Sequence, residues 1–141
     1  MKTTNVLLAI ASLTALAACK KQTASLVSSN HLVGKWSHIE ADLTPYSNGK
    51  YGKVGITKLN DPSDYVQFNS DGTGIISSSA SKQTSIKYSL NGNILTVTAG
   101  TASEIDTVKQ STSNSLWIRT QSPVLPSDPD YKYLYDSYYS K

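Results

Sequence analysis

Along the middle of the chain, apolar and polar residues change places at every second position. Val66 and Phe68 alternate with polar neighbours in 64–69, and Ile86, Tyr88 and Leu90 do so before Asn91-Gly92-Asn93. Leu95 and Val97 resume the alternation after that turn. A period of two is the signature of strands with one buried face, and Asn-Gly between two such runs marks a tight hairpin. The same reading predicts strands over 32–40, 64–69, 73–79 and 114–120, and a weaker one over 103–110. Asp71-Gly72 predicts a second hairpin, between 64–69 and 73–79. No helical period runs through these segments, and the prolines Pro45, Pro62, Pro123, Pro126 and Pro129 fall between the predicted strands. The expected fold is all-β: a small antiparallel up-and-down meander of about seven or eight strands, closed into a barrel because an open meander leaves two raw edges. Two segments fit less readily. Residues 41–63 read as a long Gly-containing connection with a short strand near 53–58. The Tyr-rich tail 131–141 alternates like a strand at Tyr131, Tyr133 and Tyr135, while Leu134 and Tyr138 would share a helical face.

The N-terminus follows another rule. Lys2 precedes an apolar run from Val6 to Ala18, too short for a spanning helix of about 20 residues but fitting the core of an export signal. That run ends in Leu16-Ala17-Ala18-Cys19, and Cys19 is the one cysteine of the chain. One cysteine makes no internal disulfide. The four residues look like the bacterial lipoprotein signal, in which small residues precede a cysteine whose sulfur takes a diacylglycerol before cleavage makes it the new N-terminus. The expected organisation is a removed signal peptide at 1–18, a lipidated Cys19 with a polar, Ser-rich tether to residue 30, and a barrel domain over 31–141. Two or more acyl chains hold a protein on a membrane essentially permanently. With Lys20 rather than an acidic residue after the cysteine, the outer membrane of the cell envelope is the expected location.

Charge adds little. Thirteen basic and ten acidic side chains are scattered, and no basic stripe forms, so a nucleic-acid partner is not expected. His31 and His38 lack the further ligands a metal site needs, so neither a metal nor another cofactor is expected. Asp71-Gly72-Thr73-Gly74 reads as a turn rather than a catalytic or phosphate loop. Glu104 and Asp106, two apart on one sheet face, read as solvated carboxylates. No nucleophile elbow or acid–base pair is evident, and the expectation is a protein that is not an enzyme.

The order "LVGKWS", "YVQFNSDGTG", "YSLNGNILTV", "LWIRT" over residues 32–120 resembles the lipocalin-like domains of small lipoproteins of the Bacteroidetes type. The resemblance implies that Trp36, in Gly34-Lys35-Trp36, plugs the closed end of the barrel and that a late arginine, Arg119, packs across it. The Thr-Asp-Tyr that precedes a late strand in lipocalins is absent. The implied function is non-enzymatic binding of a small apolar or amphipathic ligand, with Trp36, His38, Val66, Phe68, Tyr88 and Val97 as the candidate lining. The alternative is a barrel filled by its own side chains that meets a protein or glycan through 41–63 and the Tyr-rich tail.

Overall fold

The computed structural model describes residues 27–122 and 132–141. Cys19, the segment before it and most of the expected tether lie outside them, as do Pro123, Pro126, Pro129 and Tyr131. A short helix, α1 (Ser29–Leu32), leads into β1 (Gly34–Ser47), β2 (Lys50–Tyr51), β3 (Gly55–Lys58), β4 (Asp64–Phe68) and β5 (Thr73–Ser79). Then follow β6 (Lys82–Asn91), β7 (Ile94–Ala99), β8 (Ala102–Ser111), β9 (Ser115–Gln121) and β10 (Lys132–Ser140). From β4 to β10 each strand pairs antiparallel with the next, β4 also pairs β1, and β10 returns to pair β1 from Ser37 to Tyr46. The meander is therefore a closed antiparallel barrel of eight strands, as the alternation predicts. Closure satisfies the N–H and C=O rows that an open sheet would leave raw.

The turns follow their residues. Asn91 pairs Ile94 across a two-residue loop in which Gly92 takes φ 63°, the left-handed value a tight reversal requires. Asn48-Gly49, between β1 and β2, has φ 50° and 75°, both positive as in a type I′ turn.

Two expectations need correction, and one open reading is resolved. Residues 41–63 are not one long connection: β1 continues to Ser47 with Pro45 inside it, and β2 and β3 add to its edge. On that edge β4 pairs Gly34–Ser37, and β3 takes over along Glu40–Leu43, held also by a Lys58–Glu40 ion pair. The alternation is weak here because the segment is held by backbone pairing with β10 and buries little. The tail resolves as a strand, β10, hydrogen-bonded on both sides. Arg119 does not pack on Trp36. Leu116 and Ile118 point into the core, so the alternating Trp117 and Arg119 point outward. There the guanidinium grips Asp136 by two bonds of 2.8 and 2.7 Å, and Trp117 Nε1 donates to the same carboxylate at 2.7 Å. Burial alone would raise the Asp136 pKa, but these donors outweigh it and hold the carboxyl below its ordinary value.

The closed end is built around Trp36, which is fully buried. Its Nε1 donates to the Leu32 carbonyl at 2.7 Å, tying α1 across the barrel bottom. The cation over its ring is Lys141, with Nζ 4.3 Å from the ring centre and 3.1 Å from the Val33 carbonyl it donates to. Gly34 makes room: at φ 134°, a Cβ there would lie 2.9 Å from Lys141 Cε. Above Trp36 the core is Val66, Phe68, Ile86, Leu95, Val108, Leu116 and Ile118.

Phe68 pairs directly with Gly74 on β5, and the glycine leaves the wall thin. A Cβ at Gly74 would sit 2.3 Å from the Gln67 carbonyl oxygen and 3.1 Å from Ile86 Cγ1. One obstacle is backbone, so the β4–β5 pairing itself would have to shift. Gly74→Ala is expected to cost about 2–3 kcal/mol, measured as a lower urea midpoint with an unchanged m-value.

Candidate functional site

The strands that seal the lower half of the barrel diverge from it in chemistry toward the other end. There a cavity of about 250 Å³ opens between the walls. Its inner surface is apolar, formed by Val66, Phe68, Ile86, Leu95, Val97 and Ile118. Its upper wall is polar: His38, Asp64, Ser77, Ser78, Glu104, Asp106, Thr120, Ser137 and Tyr139 all contribute. At a liquid share of about 30 Å³ per molecule, the space equals roughly eight waters, so it suits a ligand of small-aromatic size.

His38 reaches the cavity because β1 keeps strict alternation from Trp36; the irregularity in its register comes just after, between His38 and Glu40. The ring stacks on Tyr139 with centroids 4.7 Å apart, and Nδ1 lies 3.3 Å from Asp64 Oδ2. In the neutral ring, a carboxylate partner makes Nδ1 the donor and leaves Nε2 an acceptor. Nε2 is buried and has no protein partner.

Asp106 is the most enclosed carboxylate of the wall, with 6% of its surface exposed. Thr120 donates to its Oδ1 at 2.6 Å. Burial pushes its pKa up to about 6, against the lowering effect of the Thr120 bond and with help from the Glu104 charge. The expectation that Glu104 and Asp106 share a solvated outer face is thus overturned for Asp106. Both lie on the same side of β8 as buried Val108, and that parity with an apolar neighbour was the readable signal. Tyr139 is pushed up to about 12, first by burial and then by the negative charges of Asp64, Asp106 and Glu104. Its hydroxyl therefore stays protonated at any physiological pH.

Of the six residues expected to line a ligand site, His38, Val66, Phe68 and Val97 do so. Trp36 and Tyr88 do not. Trp36 lies in the closed end, and Tyr88 stands edge-on to Phe68 at 4.8 Å and donates its hydroxyl to the Asn69 carbonyl. The alternation of single strands could not reveal Asp64, Thr120, Ser137 and Tyr139, because polar residues at inward positions look like ends of strands until the barrel is closed. Among the described residues, no group of three His, Cys, Asp or Glu side chains is placed to hold a metal ion. Comparison of the chain with known protein families, curated proteins and solved structures gives no match.

The raised Asp106 pKa has a thermodynamic consequence with a definite sign. Between about pH 4 and pH 6 the folded protein keeps a proton that the unfolded chain, at an ordinary pKa near 3.9, has released. The stability contributed by this proton is full below pH 4 and lost as pH rises through 6. The groups facing Asp106 are Glu104, His38, Asp64 and Tyr139, so the comparison of variant with parent isolates its share. Asp106→Asn is expected to be more stable than the parent at pH 8 by about 2 kcal/mol. The gap should close by pH 4 in urea unfolding curves taken across the range.

Proposed function

We propose that this chain is a lipid-anchored protein of the cell envelope whose lipocalin-like barrel binds a small amphipathic molecule in its mouth, without chemistry. The observation that carries the reading is the cavity: apolar side chains and polar groups line one space beside the buried core. The export signal and Cys19 supply the address, with diacylglycerol on the sulfur and the outer membrane as the site of residence. In the filled-barrel alternative, 41–63 and the tail would meet a partner largely as strands of the sheet rather than as free loops.

Two experiments test the two halves. For the cavity, the full chain carrying Cys19→Ser is titrated with phenethyl alcohol and followed by methyl shifts of Leu95, Val97 and Ile118. Saturable shifts confined to these walls are expected, and Val97→Phe should weaken binding at least tenfold while the circular dichroism spectrum is kept. Shifts that are absent, or that survive the filling substitution, would remove the binding reading. For the anchor, Cys19→Ala should move the protein from the membrane fraction to the soluble envelope fraction of a bacterial host. Equal membrane retention of parent and variant would overturn lipidation.

A further inference from the structure

The polar end of the cavity is unbalanced in two respects. Three carboxylates line it, from Asp64, Glu104 and Asp106, and among the described residues no lysine or arginine does. Two of the wall's hydroxyls are already engaged: Thr120 donates to Asp106 Oδ1, and Ser77 donates to the Ser79 carbonyl. To these carboxylates the wall adds the buried Nε2 of His38, which has no partner. Such a wall repels an anion. An uncharged ligand would leave the negative charge of the carboxylates uncompensated and add no favourable charge interaction there.

On the reading that the barrel mouth binds a small amphiphile, we propose that the ligand carries a protonated amine. Its ring or short chain lies against Val97, Leu95 and Ile118, and its ammonium lies among Asp64, Glu104, Asp106 and His38. An ammonium brings three donors and no acceptor, which complements this wall group for group. Charge-assisted hydrogen bonds of this kind are roughly twice as strong as neutral ones. The three carboxylates come from two parts of the barrel, β4 and β8, and all three act on the Tyr139 hydroxyl between them. Among the described residues they form no metal-type cluster. An organic cation with an apolar body suits a cavity that has both carboxylates and apolar walls. Burial is the main reason the Asp106 pKa is raised, with the Glu104 charge a smaller contribution, and a cation beside the carboxylate would offset both.

The test uses three probes with one frame and different heads: phenethylamine, phenethyl alcohol and phenylacetate, each titrated into the full chain carrying Cys19→Ser at pH 7.5 (about one and a half units above the Asp106 value). Phenethylamine is expected to bind at least tenfold more tightly than the alcohol, and phenylacetate more weakly than either. Asp106→Asn should bring amine affinity down to within about threefold of the alcohol. Because Asn keeps the acceptor for Thr120, this variant is expected to fold, and Glu104→Gln provides a second reading at a more exposed position. Lowering the pH from 7.5 to 5 should cost the parent its amine preference as Asp106 takes up its proton. An alcohol that binds as tightly as the amine overturns the cationic head and leaves the cavity reading standing. An amine preference unchanged in both carboxylate variants likewise overturns it. If none of the three probes binds, both readings fall.

Discussion

A closed sheet with a two-residue period commits every side chain to one of two compartments. In an open sheet a strand can slip or splay to hide a misplaced residue, but in a barrel of eight strands each register is held from both sides. The rest of the molecule follows from this parity. Leu116 and Ile118 must enter the core, so Trp117 and Arg119 must leave it, and Asp136, beside them on β10, becomes their partner. Trp36 enters, so His38 enters two residues later, before the register of β1 shifts. A resemblance based on the order of motifs put Arg119 over Trp36. Parity forbids it, and Lys141, reaching round from the end of β10, serves the ring instead.

How much of this could be read beforehand depended on whether a residue's neighbours shared its character. The hairpin 85–98 was plain because Ile86, Leu90, Leu95 and Val97 alternate without interruption and Gly92 marks the reversal. The same holds for 64–69 and 114–120. The barrel walls with a dry interior announce themselves, and the walls around a wet cavity do not. Asp106 sits inside with Val108 two residues on, and Thr120 sits inside after Leu116 and Ile118. Each is polar at a position whose pattern demands an apolar residue, and in a single sequence that reads as the fraying of a strand. The extension of β1 beyond residue 40 was hidden for the opposite reason. Its backbone is paired on both sides, yet its side chains bury too little to leave a rhythm.

The two ends of the barrel therefore differ in packing and in polarity. The lower end, around Leu32, Trp36, Phe68 and Leu116, is packed, dry and tied by one indole hydrogen bond. The upper end keeps an enclosed carboxylate whose proton the fold prefers to hold, and an imidazole nitrogen without a partner. Buried groups of this kind are destabilising unless something pairs with them. Their tolerance rests on the packed half, where closure and the aromatic plug hold the wall in register. Sites that trade local stability for recognition are commonly arranged in this way, with strain in one region and rigidity in another.

The return of β10 onto β1 governs how the chain reaches this state. The contact between Lys141 and Val33 spans 108 residues, and the pairings of Ser37 with Ser140 and Trp36's neighbours with β10 are nearly as remote. Hairpins between successive strands can form locally and early, but β1 and β9 keep bare flanks until the final segment arrives. Topologies dominated by such distant pairings fold slowly, in milliseconds to seconds, because loop-closure entropy is spent before any contact repays it. During that interval the unfinished sheet is a template for other chains. The nine-residue strand β10 is thus the element whose arrival closes the sheet and covers both flanks at once.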